Sequence, residues 1–187
     1  MGRIVVTEFV TLDGVMEDPG GAEGFEYAGW SFEVSRGEEG DRFKLEETMG
    51  SAALLLGRVT YEGFADAWPK RDGEFADKFN SMPKYVVSST LENPGWTNTT
   101  VLRDVGEAGK LREELDGDVV VHGSRQLVQA LIERDLVDEL RLMVFPMILG
   151  KGKRLFGETS GKKPLELVES RTVGDGVAIL IFRPASS

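Results

Sequence analysis

Residues Asp118 to Phe156 read DVVVHGSRQLVQALIERDLVDELRLMVFPMILGKGKRLF, and this stretch decides the fold class. It opens on a short apolar, β-branched run, Val119-Val120-Val121, which reads as a strand. His122-Gly123-Ser124 then turns the chain. Leu127, Val128, Leu131 and Ile132 follow on one face of a helix pattern. A second strand, Val137 to Phe145, comes almost at once. A strand that stops at a small-residue turn and opens a helix leaves unpaired N–H groups at the helix start. Those groups and the helix dipole favour an anion such as a phosphate.

Similar units lie upstream. Arg3 to Val10 is apolar and β-branched and reads as a strand, followed by a turn at Thr11-Leu12-Asp13-Gly14. Asp41 to Met49 reads as a helix, with Asp41 as N-cap and Gly50 as stop. Ala52 to Leu56 is wholly apolar, as expected of a strand buried on both faces. Gly57-Arg58-Val59-Thr60 turns the chain, with Thr60 placed to cap a short helix through Tyr61 and Phe64. Lys84 to Ser88 is a further strand, closed by Ser88-Ser89-Thr90. Thr99 to Leu102 is a weak strand, and Glu107 to Leu115 a charged helix. At the C-terminal end, Gly174-Asp175-Gly176 between Leu165–Val173 and Val177–Arg183 signals a hairpin. The alternation predicts an α/β fold with a mostly parallel sheet and an antiparallel edge. Nothing in the 187 residues marks a linker or repeat, so one domain over 1–187 is expected. Ala22 to Gly40 lacks periodicity and reads as a functional loop or as a mobile surface excursion.

Composition narrows the chemistry. There is no cysteine, which excludes disulfides and thiolate catalysis, and one histidine excludes any site needing two imidazoles. With 32 acidic against 22 basic residues the net charge is −10, which disfavours nucleic acid as a partner. No apolar run approaches the ~20 residues of a membrane span. No secretion signal is visible, so the cytoplasm is the expected compartment. An anionic small molecule would need a local basic pocket, for which Arg58 and Arg125 are candidates.

Several polar clusters follow strand ends: Asp13-Gly14, Gly57-Arg58-Val59-Thr60, Ser88-Ser89 and Gly123-Ser124-Arg125. Ligands of open α/β sheets bind beyond the carboxyl ends of strands. Small residues admit close backbone approach, hydroxyls donate to phosphate oxygens, and guanidinium groups pair with phosphate in two bonds. Each cluster alone also reads as an ordinary turn. Together they suggest a nucleotide or sugar-phosphate site. The G-x-G-x-x-G fingerprint of Rossmann dinucleotide sites is absent.

The order Leu12-Asp13-Gly14-Val15, Leu55-Leu56-Gly57-Arg58-Val59-Thr60-Tyr61-Glu62, Tyr85-Val86-Val87-Ser88-Ser89, Gly123-Ser124 with its helix, Leu136-Val137-Asp138-Glu139-Leu140 and Leu149-Gly150-Lys151-Gly152 resembles the dihydrofolate reductase superfamily. The match is closest to the branch typified by the reductase domain of bacterial riboflavin-biosynthesis proteins, and it covers nearly the whole chain. The resemblance implies a dihydrofolate reductase-like sheet of about eight strands flanked by about four helices. It also implies a homodimer that reduces a small-molecule substrate with NADPH. In that branch the ribosyl group of 5-amino-6-(5-phosphoribosylamino)uracil is reduced to ribityl. Carried over by position, Arg58 faces the adenosine phosphate and Thr60 lies near the pyrophosphate. Ser88 and Ser89 hold the 2′-phosphate. Gly123, Ser124, Arg125 and Gln126 cradle the pyrophosphate, and Met16 lies near the nicotinamide.

The acid is less legible. The Trp-x-x-Pro-x-Asp segment of folate reductases is missing, which disfavours folate as substrate. Asp41 lies at the matching distance before Gly57 and is either the substrate anchor or only a helix cap. Asp13 is the other candidate, to orient a substrate hydroxyl or relay a proton, with an Asp-Gly turn as the alternative. His122 at a strand end reads as structural. Asp138 and Glu139 are expected to face solvent. Lys151, Lys153 and Arg154 form either a solvated loop or a phosphate contact. Trp30, Trp68 and Trp96 are expected in packing roles.

Overall fold

The computed structural model describes residues 1–186. They form eight strands and five α-helices, one helix more than the pattern predicts. One sheet carries the strands in the order β4-β3-β2-β5-β1-β6-β8-β7. By contacts the chain divides into two compact units. The first is Met1–Val6 with Lys44–Asp138, and the second is Thr7–Phe43 with the chain from Glu139 onward. Strand β1 (Arg3–Thr11) and helix α1 (Gly37–Gly50) contribute to both.

The first unit is the parallel part. β2 (Ser51–Gly57) lies between β3 (Lys84–Val87) and β5 (Asp118–His122), and β3 pairs in turn with β4 (Thr99–Leu102), all parallel. Ala53 to Leu56 and Val119 to Val121 are fully buried, as uninterrupted apolar runs require of central parallel strands. α2 (Arg58–Ala67) and α3 (Glu74–Ser81) bring Tyr61 and Phe79 onto Leu54, Leu56, Val86 and Trp96. α5 (Arg125–Glu133) buries Leu127, Val128 and Leu131, the face its spacing predicts. Lys84 is fully buried in this core. Its ammonium donates to the carbonyls of Asn80, Met82 and Thr97 at 2.8, 2.8 and 2.9 Å and sits 4.4 Å from the Trp96 ring centre. Three acceptors match the three donors of a lysine ammonium.

The second unit carries the antiparallel part. β8 (Val177–Pro184) pairs with β6 (Glu139–Phe145) on one side and β7 (Leu165–Val173) on the other. The expected hairpin is present. Its Gly174 has φ +53°, and a Cβ there would lie 2.1 Å from the Ser35 carbonyl oxygen, so only glycine fits. The core joins Met143, Phe145, Val177, Ile179 and Ile181 to Trp30, whose ring meets Phe145 edge-on at 5.4 Å. The segment before α1 is far from featureless. The buried Asp18 carboxylate accepts the amides of Ala22, Glu23 and Phe25, and the Trp30 indole donates to the Glu17 carbonyl at 2.8 Å.

Four local expectations are corrected. α1 begins at Gly37, where the Ser35 hydroxyl accepts the Gly37 amide, so Asp41 is inside the helix and is not its cap. Thr60 is likewise inside α2, whose N-cap is Gly57. The charged helix is a 3-10 segment, Val105–Lys110, opened by an Asp104/Glu107 capping box, and then one turn, α4 (Leu111–Glu114). Glu139 does not face solvent, and Asp138 is only partly exposed. Asp138 accepts the Ile4 amide at 2.7 Å, and buried Glu139 pairs with Arg141 and Arg183. Strand periodicity puts Glu139 and Arg141 on one face, but it cannot show Arg183, which arrives from β8.

Candidate functional site

In the first unit the ends of β2, β3 and β5 carry the polar turns that the sequence marks. The turns after β2 and β5 are tied together. The Ser124 amide donates to the Thr60 hydroxyl at 2.9 Å, and the Ser124 hydroxyl accepts the Gly57 amide at 2.9 Å and donates to the His122 carbonyl at 3.1 Å. Gly123 and Ser124 both take left-handed backbone, φ +57° and +56°. A Cβ at Gly123 would meet the Thr60 hydroxyl at 3.0 Å, so the glycine admits the approach of the two helix starts. Arg125 and Gln126 open α5 directly behind this turn.

The turn after β3 is built around Ser88. Its hydroxyl accepts the amides of Thr90 and Leu91 at 3.3 and 3.1 Å, an ordinary serine turn. Ser89 and Thr90 are exposed. Arg58, at the start of α2, donates to the Thr90 hydroxyl and to Glu62 at 2.9 Å. Arg103, directly after β4, donates through one nitrogen to the Ser88 and Leu91 carbonyls at 3.1 and 2.7 Å. Thus Thr60, Gly123 and Ser124 meet in one group, and Arg58 joins the Ser88–Leu91 turn in another.

His122 closes β5 with its ring 5.5 Å from Phe79 and 6.5 Å from Phe64. Burial, and then the charge of Lys44, holds its imidazole well below the usual range. It is therefore neutral at pH 7 and carries no imidazolium proton to give. Phe79 in turn stacks on Trp68 at 4.7 Å, and Arg71 lies over that indole at 4.5 Å.

The second unit holds the remaining candidates. The Asp13 carboxylate accepts the Thr11 hydroxyl at 2.5 Å and the amides of Leu149 and Gly150 at 3.2 and 2.8 Å. Arg154 lies 3.6 Å away. Burial raises its pKa, but the bonds from Thr11, Gly150 and Leu149 outweigh burial and leave it below the ordinary 3.8. Met16 is buried, and its amide donates to the Lys153 carbonyl at 2.9 Å. Glu17 returns the contact by accepting the Lys153 amide at 2.9 Å. Asp13 and Glu17 thereby fix the Leu149–Lys153 segment against the end of β1. The basic cluster is matched by acids: Lys151 with Glu26, Lys153 with Glu17, and Arg154 with Asp13. Asp41 is not part of this group. It is exposed and pairs with Arg36 at 2.6 Å.

The strands run in the order β4-β3-β2-β5-β1-β6-β8-β7, with parallel pairs in the first unit and an antiparallel hairpin in the second. The family model of the RibD C-terminal domain matches residues 3–179. The chain belongs to this family.

This RibD C-terminal domain is 28% identical over 196 aligned positions to YyaP, an uncharacterized protein of Bacillus subtilis (strain 168), covering 96% of this chain and 94% of that one. A second uncharacterized protein of the same organism, YwjB, is 24% identical over 132 positions, 70% of this chain and 72% of its own. Among solved structures, a putative riboflavin biosynthesis protein from Shewanella sp. PV-4 superposes with a TM-score of 0.77 at 21% identity, covering 98% of this chain and 99% of that chain. Dihydrofolate reductase from Enterococcus faecalis, complexed with NADP(H) and RAB-propyl, superposes at 0.65 with 16% identity, covering 98% and 97%. The fold is therefore dihydrofolate reductase-like, and the family is of reductase type.

Two contributors escaped the sequence reading. Arg103 had a usable signal, since it is a cation directly after a parallel strand, where ligands of such sheets gather. Glu17 had none, because its partner lies 136 residues away.

Proposed function

We propose that the protein is an NADPH-dependent reductase of the cytoplasm. Its substrate is a small polar molecule of the class of 5-amino-6-(5-phosphoribosylamino)uracil, and it works as a homodimer. The observation that carries this reading is the donor set at the ends of the parallel strands. Arg58 is bonded to the turn that also presents Ser88 and Ser89, and Gly123-Ser124 leads into α5. Arginine and hydroxyl donors beside a left-handed glycine turn suit the 2′-phosphate and the pyrophosphate of this cofactor. When bound, the cofactor supplies the hydride, and the protein supplies binding and orientation.

In this reading Arg58, Ser88 and Ser89 hold the 2′-phosphate. Thr60, Gly123, Ser124, Arg125 and Gln126 shape the pyrophosphate cradle. Met16 is assigned to the nicotinamide by the family resemblance, and within its own unit Asp13 and Glu17 keep its loop fixed. The dimer is supported by β7, an edge strand exposed along most of its length, with Leu165, Leu167 and Val168 each about half exposed. Sedimentation at a single mass of one chain would remove that part.

Calorimetric titration with NADPH and with NADH tests the cofactor. Selective NADPH binding is expected, and Arg58→Ala should weaken NADPH far more than NADH. Binding of neither nucleotide removes the reading. A second reading, a nucleotide-binding module without turnover, is favoured by the state of the acids: Asp13 is occupied by three hydrogen bonds, and Asp41 is exposed against Arg36. Steady oxidation of NADPH with the riboflavin precursor would dismiss it. Tight binding without oxidation of the nucleotide across a broad substrate panel would uphold it.

A further inference from the structure

The second half of α1 buries polar side chains. Lys44, Glu47 and Thr48 recur at the helical spacing that ordinarily carries aliphatic residues into a core, and they are 7%, 8% and 1% exposed. The Lys44 ammonium donates to both Glu47 carboxylate oxygens, at 3.0 and 3.2 Å. Thr48 lies one turn beyond Lys44 on the same face, and its hydroxyl has no hydrogen-bond partner among the described residues. A buried ion pair seldom adds stability over apolar side chains of similar volume. This pair therefore calls for a role other than packing.

Its cationic end bears on the end of β5. Lys44 is the charge that acts on the His122 imidazole, and it opposes a second positive charge there. The His122 main chain is fixed, since its carbonyl accepts the Ser124 hydroxyl at 3.1 Å. The residue is half-buried, with Phe79 and Phe64 at 5.5 and 6.5 Å, tilted by 54° and 49° to the imidazole. Neither ring nitrogen has a hydrogen-bond partner among the described residues. A neutral imidazole beside aromatic rings, with one donor and one acceptor unused, suits the polar edge of a planar heterocycle. A fixed positive charge within reach of that edge favours a neutral ring and opposes a protonated one.

We infer that the Lys44–Glu47 pair determines specificity at the end of β5, where His122 meets an uncharged, amide-bearing heterocycle such as a uracil ring and Lys44 keeps out a protonated heterocycle of the same size. The inference rests on the reductase reading above for the class of substrate, and it assigns the residues that choose the ring. His122 touches the ring. Lys44 acts on it through space, and Glu47 holds Lys44 in place.

The test uses two small rings of equal size: uracil, which is neutral, and 2,4-diaminopyrimidine, which carries a proton in mildly acidic buffer. Both are titrated in that buffer into wild type, Glu47→Gln and the double variant Lys44→Met/Glu47→Met. The nitrogen NMR signals of the single histidine report contact. Wild type should bind uracil with a shift of those signals, and should bind the protonated ring ~10-fold more weakly, the scale of one partly screened charge. The double variant removes both charges at similar volume and should bring the two affinities within ~3-fold. Glu47→Gln removes only the counter-charge and should widen the gap beyond the wild-type ratio. A double variant that keeps the wild-type preference overturns the inference. Uracil binding without any change at the histidine also overturns it, as does binding of neither ring. If the double variant does not fold, the Glu47→Gln ratio decides alone, and an unchanged or narrowed ratio overturns the inference. NADPH titration of wild type judges the reductase reading separately. Absence of nucleotide binding removes that reading, whereas the ring preference is measured with no nucleotide present.

Discussion

Replacing Thr60 with valine removes the hydroxyl that accepts the Ser124 amide at 2.9 Å while keeping a branched side chain of nearly the same volume. Two costs follow. The half-buried Ser124 N–H loses its acceptor, and an unpaired donor of this kind costs ~1–3 kcal/mol, with the lower half expected where water can reach. A methyl group also cannot stay 2.9 Å from an amide nitrogen, so the turn after β5 must move away from α2. The sum is ~1–2 kcal/mol of stability. With a urea dependence of ~2–3 kcal/mol per molar for a chain of this size, the unfolding midpoint should fall by ~0.5 M. Urea titration measures that shift, and amide exchange at Ser124 reports the bond itself. Thr60→Ser is the control. It keeps the hydroxyl, so it should preserve exchange protection at Ser124 while losing only the ~0.8 kcal/mol of one buried methyl. An unchanged midpoint together with unchanged exchange at Ser124 in Thr60→Val would refute the claim that Thr60 ties the two helix starts together.

Glycine positions give a contrasting pair. Gly174→Ala places a Cβ 2.1 Å from the Ser35 oxygen at φ +53° and should cost ~2–5 kcal/mol from backbone strain and overpacking, whereas Gly63→Ala, in α2 with nothing within 4 Å, should gain ~0.5–1 kcal/mol. Thermal unfolding ranks the two, and a Gly174→Ala protein as stable as wild type would contradict the close approach. Burial pulls Lys84 from 10.5 to about 8. Between those values the folded protein sheds a proton that the unfolded chain keeps, so this group's contribution to stability rises with pH across that window and is flat below it. The difference in unfolding free energy between wild type and Lys84→Met should climb from pH 8 to 10, and a flat difference argues against a depressed lysine. Asp13 works in the same direction, but in the acid range. Its lowered carboxyl contributes stability above the ordinary 3.8 that is lost as pH falls through the lower folded value. Asp13→Asn should therefore be less stable than wild type at pH 7, with the gap closing in acid, and a gap that persists at pH 2 would mean packing rather than charge.

Local periodicity carried most of the fold. The runs Ala53–Leu56 and Val119–Val121 are apolar without alternation, and a strand buried on both faces has no other economical reading. The glycine-bounded hairpin and the apolar face of α5 were equally plain, because turn chemistry and side-chain spacing act over a few residues. Helix starts were misread where a residue of good capping chemistry stood near the true start. Asp41 and Thr60 both look like caps, yet both lie inside their helices, because the backbone becomes helical sooner, at Gly37 and at Arg58.

The site divides along the same line. Its residue types at strand ends, Arg58, Ser88, Gly123 and Ser124, are legible because a parallel sheet delivers all its strand ends to one edge. The partners of those residues are not legible. Thr60 meets Ser124 across 64 positions, Arg103 reaches Ser88 across 15, and Asp13 takes the amides of Leu149 and Gly150 across 136 and 137. Sequence alone determined the class of fold and the strand-end turns, since these follow from composition and short-range pattern. Only the tertiary structure decided which carboxylates are occupied, which arginine holds which turn and which lysine is buried. Hydrogen bonds and desolvation depend on groups that the chain brings together from far apart, and no short-range pattern records that meeting.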